Sequence, residues 1–179
     1  MNRNFRQTSS SSFEREILPH LDLAWRMALT LARDPVEAED LAQEALLRAM
    51  RGFHRFTPGT NARSWLARVV HTAWLDHLRG ESRRPRGTWD EELDETLADG
   101  EDSGAWQPRI LSEALDDQWE AALAELPSSW RLTLLLVEVE GLSYEEAAHA
   151  TGVPVGTVRS RLHRAKDRLH AWLSKRGRS

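Results

Sequence analysis

Five cationic side chains, Arg159, Arg161, Arg164, Lys166 and Arg168, interleave with Val158, Leu162, Ala165 and Leu169 in the stretch GVPVGTVRSRLHRAKDRL. The chain around them has a formal net charge of −4 at pH 7. Of its 24 basic residues only Lys166 and Lys175 are lysine. A guanidinium is a planar fork that pairs bidentately with phosphate oxygens or with the acceptor edge of guanine, so the chemistry on offer is recognition of a nucleic acid. Covalent chemistry finds less support. With no cysteine in the chain, disulfides, a Cys-based zinc site and a thiol nucleophile are excluded. His71, Asp76 and His77 form one group of possible metal ligands and Glu37, Asp40 and Glu44 another. The two histidines are six apart, however, and Asp76-His77 reverses the His-Asp order of the metal-phosphohydrolase motif. Neither a Gly-rich phosphate cradle nor a Ser/His/Asp arrangement is present. The expectation is a binding protein with no catalytic residue, no metal and no cofactor.

The elements that must position those arginines can be read from local signals. Ser143 followed by Glu146 is a capping box for a short helix to about Thr151; Gly152 supplies a turn and Pro154 opens a longer helix. A short helix, a Gly turn and a longer basic helix have the spacing of a helix-turn-helix. At 100° per residue, Val155, Val158, Leu162, Ala165 and Leu169 share the inner side of the last helix. Ser160, His163, Arg164 and Asp167 point outward, and Arg159 and Arg161 lie on the flanks, where a helix in a groove meets phosphates. Upstream, Trp119 to Glu125 and Ser128 to Glu138 read as two helices separated by Pro127.

Net charge conceals a segregation. From Arg48 to Arg86 nine arginines stand against Asp76 and Glu81, and from Pro154 to Ser179 eight basic residues stand against Asp167 alone. Between these blocks TWDEELDETLADGEDSGAWQP, Thr88 to Pro108, carries eight carboxylates and no basic residue. That composition reads as a flexible acidic linker between two helical modules. In the first module Asp34 is an N-cap, with Pro35 at the first helical position and Glu37 three residues after the cap, opening a helix to about Phe53. Its inner side is Ala38, Leu41, Ala42, Ala45, Leu46 and Ala49. The outer side is Glu37, Asp40, Gln43, Glu44, Leu47 and Arg48, where an apolar Leu47 among carboxylates suits a partner-docking surface as well as a solvated face. After RFTPGTN a second helix runs from near Asn61 to about Arg79, with Leu66, Val69, Val70 and Ala73 inside and Arg68, His71, Thr72, Leu75 and Arg79 outside.

SYEEAAHATGVPVGTVRSRLHRAKDRL resembles the region 4 helix-turn-helix of the extracytoplasmic-function (ECF) sigma factors of bacterial RNA polymerase. DPVEAEDLAQEALLRAMRGFHRF is similar to their region 2.1 to 2.2, and NARSWLARVVHTAWLDHLRGESRR to their regions 2.3 to 2.4, in the correct order. The resemblance implies that Asp40, Gln43, Glu44 and Leu47 face the β′ coiled coil of core RNA polymerase, with the β flap as a second contact of the factor. It implies that the loop from Phe56 to Asn61 and the outer face of the next helix, with Asn61, Trp65, Arg68, His71, Thr72 and Arg79, open the −10 element and hold an unpaired base. Trp65 suits either base stacking or the core. Where many relatives carry the Asn of an I-x-x-N pattern, this chain has His71. The −35 element falls to Thr157, Arg159, Ser160, Arg161, His163 and Arg164. An anti-sigma partner and promoter DNA are further implications. So is a path for the acidic linker near the polymerase channel, where its charge resembles RNA.

The expected fold is all-α, with two small helical domains joined by an acidic flexible linker. Its divisions are a disordered N-terminus at 1–12, a region 2 domain at 13–84, the linker at 85–117, a helix-turn-helix domain at 118–174 and a tail at 175–179. A polar N-terminus and the lack of any long uncharged run predict a cytoplasmic protein with no membrane insertion of its own. The alternative is a free-standing helix-turn-helix regulator. Such proteins usually bind palindromic sites as dimers, and no long heptad seam is present to join two chains.

Overall fold

The computed structural model describes residues 12–32, 34–82 and 117–176, and these are helical with no strand among them. The acidic stretch 88–108, residues 1–11 and residues 177–179 lie outside the described residues, and with them the expectations placed on linker and tail ends. A helical turn at 12–16 and a 3-10 turn at Leu18–His20 lead into α1, Leu21–Leu31. Leu23, Ala24, Met27, Ala28 and Leu31 recur at helical spacing and bury one stripe of α1.

Helix α2, Pro35–Gly52, starts where local hydrogen bonding dictates. Asp34 Oδ1 accepts the N–H groups of Val36 at 2.8 Å and Glu37 at 2.9 Å, satisfying two donors that have no partner inside the helix. Ala38, Leu41, Ala42, Ala45 and Ala49 are buried as expected, while Leu46 is half-buried. A mostly alanine stripe permits close approach by α1 and by α3, Ala62–Ser82. Asn61 caps α3, its Oδ1 accepting from the backbone of Arg63 at 2.9 Å and Ser64 at 3.3 Å. Leu66, Ala67, Val70, Ala73 and Trp74 form the buried side of α3.

The second module comprises α4, Asp117–Ala124; α5, Ser128–Leu134, which continues as a π turn over Leu135–Val139; α6, Tyr144–Thr151; and α7, Val155–Arg176. The Ser143–Glu146 capping box is reciprocal: Ser143 Oγ accepts from the Glu146 N–H at 3.1 Å and Glu146 Oε2 from the Ser143 N–H at 2.8 Å. Gly152 closes α6 with φ of 73°, a left-handed conformation that glycine adopts without steric cost, and the chain then turns into α7. Ala165 and Leu169 on α7 pack with Ala122, Leu123 and Leu126 beneath Trp130 and Trp172.

The two modules share a core. Leu132, Leu135, Leu136, Leu142, Ala147, Ala148, Ala150 and Val158 belong to the same buried cluster as Ile17, Leu23, Met27, Leu66 and Val70. Helix α6 lies on α3, and α5 lies on α1. At this junction Glu140, 1% exposed, caps the π turn and receives Arg26 Nε on Oε1 and Arg63 Nη2 on Oε2, both at 2.6 Å.

Candidate nucleic-acid interface

The cations that opened the sequence analysis divide into three kinds. Arg159 and Arg164 are exposed on α7, with Ser160 and His163 beside them and Thr157 half-buried. Arg161 does not lie on a flank: it is 7% exposed and turned into the module, a departure from the wheel expectation. Lys166 and Arg168 reach back to the module's own carboxylates, Lys166 Nζ to Glu138 at 2.7 Å and Arg168 Nη2 to Glu125 at 3.8 Å. The outward face therefore narrows to Arg159, Ser160, His163 and Arg164. His163 sits 3.3 Å from Asp167 one turn on, and the Arg159 guanidinium lies over the Tyr144 ring, 5.7 Å from its centroid. Tyr144, at the first position of α6, was not singled out from the sequence. A single tyrosine has no periodicity to reveal it, and its ring meets Arg159 only once the turn brings the two helices together.

On α3 the residues named for the outer face are partly engaged within the chain. Arg68 is exposed and its Nη1 donates to the His149 carbonyl; Thr72 is exposed and its hydroxyl donates to the Arg68 carbonyl at 2.8 Å. Asn61 Nδ2 donates to Glu146 Oε1 at 2.6 Å, and the Ser64 hydroxyl to the Glu146 carbonyl at 3.2 Å. His71 is half-buried, and Arg79 Nη1 meets Asp76 Oδ1 at 3.2 Å. Trp65 packs edge-on to Phe56 and Phe53, with centroids 5.5 Å and 6.3 Å apart. Of the two roles open to Trp65 in the sequence, the geometry favours packing. The loop at 57–60 is exposed throughout. Arg63, absent from the expected set, is central to the face through its bond to Glu140. Burial first, and then the Arg63 charge, hold the nearby His20 imidazole below its ordinary pKa.

The α2 surface has a different character. Asp40 and Gln43 are exposed and Glu44 is half-buried, and Leu47 stands 47% exposed beside Met50 at 59%. Arg48 pins this face to α3, bonding Glu44 at 2.7 Å and Asp76 at 2.7 Å. Met50 extends the apolar patch one turn beyond what the sequence reading named. Among the described residues no three His, Asp or Glu side chains converge to hold a metal ion, and no helix is long and apolar enough to cross a membrane.

A family model of sigma-70 region 2 matches residues 17–84, and one of sigma-70 region 4 matches residues 116–169. The chain is 33% identical over 164 residues to the ECF RNA polymerase sigma factor EcfG of Rhodopseudomonas palustris, covering 92% of this chain and 86% of that one. The chain belongs to the ECF family of sigma factors. It is also 36% identical over 169 residues to the ECF sigma factor SigE of Mycolicibacterium smegmatis, covering 94% of this chain and spanning 64% of that relative's length. Among solved structures, the sigma factor RpoE of Bartonella quintana, in complex with the anti-sigma factor NepR, is similar with a TM-score of 0.70 and 27% identity over 91% of this chain and 97% of that one. CnrH, in complex with the cytosolic domain of CnrY, shares the fold with a TM-score of 0.60 at 21% identity over 95% of this chain and 94% of that one. In this sigma factor, α1 to α3 are region 2, and α4 to α7 are region 4. The junction at Glu140 joins the two regions.

Proposed function

We propose that this sigma factor reads a −35 element with the exposed face of α7 and a −10 element with the loop 57–60 and the outer face of α3, while α2 grips the β′ coiled coil. The observation that carries the reading is the helix-turn-helix itself: a capped α6, a left-handed Gly152, and a basic, hydrogen-bonding solvent face on α7 made of Arg159, Ser160, His163 and Arg164. Such a helix fits the major groove, where Arg reads guanine and polar side chains meet other base edges. The exposed Leu47 and Met50, set among Asp40, Gln43 and Glu44, supply a small apolar centre within a polar rim, the pattern of a protein-binding surface. On α3, Asn61, Arg68 and Thr72 offer hydrogen bonds and positive charge to an unpaired strand, and His71 takes the place of an asparagine common in relatives. Arg161 is left out of the −35 set because it is buried, and Trp65 acts by bracing the face of α3.

The protein performs no catalysis of its own in this reading; the bond-making belongs to the polymerase. Its place is the cytoplasm, and an anti-sigma factor is its restraining partner, by likeness to the Bartonella quintana factor solved with NepR. Transcription in vitro from a genomic library, with core polymerase and with or without the chain, tests the proposal. The expected result is a set of new transcript starts preceded by a shared bipartite sequence. DNA binding at palindromic sites without core polymerase, and no new starts with it, would replace this reading with that of a free-standing regulator.

A further inference from the structure

We propose that Arg48 is a positioning residue for promoter binding: by engaging Asp76 it keeps the charge of Arg79 available to a phosphate of the −10 strand. The inference rests on assigning the outer face of α3 to the −10 element. It concerns Arg48 and Asp76, two residues that touch no DNA in that reading and act through Arg79.

Four side chains of alternating charge cross from α2 to α3. Glu44 Oε1 accepts from Arg48 Nε at 2.7 Å, Asp76 Oδ2 accepts from Arg48 Nη1 at 2.7 Å, and Asp76 Oδ1 accepts from Arg79 Nη1 at 3.2 Å. Glu44 ends this chain on the polymerase-facing side and Arg79 ends it on the strand-facing side. Arg48 and Asp76 lie between them.

Asp76 has one negative charge to divide between two guanidinium groups. Charge-assisted N–H···O bonds are strongest at about 2.7 to 2.9 Å, so the division favours Arg48 over Arg79. Asp76 and Arg79 are three residues apart on one helix, within reach of a bidentate pair. Such a pair would take both carboxylate oxygens and the edge of the guanidinium that a phosphate needs. Arg48 stands in its way by holding Oδ2, and Glu44, on the preceding turn of α2, holds Arg48 in turn. All three side chains are half-buried. In the free chain water screens the network, and each bond contributes little to stability. A strand laid along α3 excludes that water and strengthens the pull of Arg79 on a phosphate. The effect of Arg48 is therefore expected in DNA binding far more than in the thermal melt.

The test uses the full chain assembled with core polymerase, at chain concentrations that saturate the polymerase. The probe is a promoter recovered from the library transcription, with its −10 non-template strand left unpaired, and affinity is measured against salt. Circular dichroism melts establish that each variant folds. Arg79→Met should reduce the slope of log affinity against log salt by about 0.7, the value for one single-strand phosphate. Arg48→Met, which keeps the aliphatic stem, should weaken binding about threefold, the scale of one partly exposed ion pair. In an Arg79→Met background the same Arg48→Met change should have no further effect, because two residues acting through one contact are not additive. Asp76→Asn approaches from the other side and decides the matter even where Arg48→Met does not fold. With the competing carboxylate neutral, binding should tighten about threefold in the otherwise wild-type chain and stay constant in the Arg79→Met chain. Additive effects in the double variants mean that Arg48 and Asp76 act only through the general field of the protein, and the proposal is overturned. If the library yields no promoter, or Arg79→Met changes neither slope nor affinity, the −10 assignment itself has failed and the proposal falls with it.

Discussion

Helices α2 and α7 each bury a stripe of small and medium apolar residues, Ala38, Leu41, Ala42, Ala45 and Ala49 in one and Val158, Leu162, Ala165 and Leu169 in the other. Their solvent faces share little chemistry. That of α2 combines Asp40 and Gln43 with the exposed Leu47 and Met50, whereas the face of α7 has Arg159, Ser160, His163 and Arg164 and exposes no large apolar side chain. The inward stripes fold the chain. In the proposed function the outward faces select partners: an apolar centre with acidic neighbours for a basic protein surface, and cations with hydroxyl and imidazole groups for a phosphate-lined groove.

The sharpest way to break this contrast is to place a charge at the apolar centre of α2. Leu47→Glu should cost about 2 to 4 kcal/mol of core-polymerase affinity, the range of an interface hot spot. The thermal melt should stay close to wild type, because the side chain is already 47% exposed. Affinity measured against labelled core polymerase, alongside a circular dichroism melt, checks both; a large loss of melting temperature would instead mark Leu47 as a core residue. On α7 the expected losses are smaller and differ in kind. Arg164→Ala should relax selectivity at one promoter position by ~1 to 3 kcal/mol. Arg159→Ala should weaken all sequences alike and flatten the dependence of binding on salt. Equal and sequence-independent losses for the two variants would erase the distinction between base-reading and phosphate-holding positions.

Two further predictions sharpen the account of how these faces are held. Glu146 has its pKa lowered chiefly by the backbone hydrogen bond from Ser143 and next by the Asn61 amide. Its carboxylate is thus favoured in the folded state. That contribution is complete above the unfolded value, near 4.5, and is lost as pH falls through the lowered folded value. The stability gap between wild type and Glu146→Gln, read from urea melts, should be widest at neutral pH and should close with acidification. Ser143→Ala, which removes the other half of the box, should cost about 1 kcal/mol. The smallest effect belongs to Tyr144. Its ring orients Arg159, so Tyr144→Ala should reproduce ~0.5 to 1 kcal/mol of the Arg159→Ala loss in duplex binding, while Tyr144→Phe should retain the contact. Equal losses for the two Tyr144 variants would mean that the hydroxyl, and not the ring face, does the positioning.

Much of this protein is decided by interactions within a few residues along the chain, and those were legible in the sequence. The Asp34 cap, the Ser143–Glu146 box, the Gly152 turn and the buried stripes of α2 and α7 arise from hydrogen bonds two to four residues apart and from the helical period, which one strand of sequence contains in full. The family motifs follow from the same local patterns. What the tertiary structure alone decided involves partners far apart in sequence. Arg26 and Arg63 meet Glu140 across 114 and 77 positions, and Asn61 meets Glu146 across 85. No periodicity marks Glu140 as buried; in the sequence it is one more carboxylate before a glycine. Arg161 turning inward and Trp65 settling against Phe53 and Phe56 are likewise outcomes of packing. A helical wheel assigns a residue to an angle, but whether that angle faces water depends on which other element comes to lie against it.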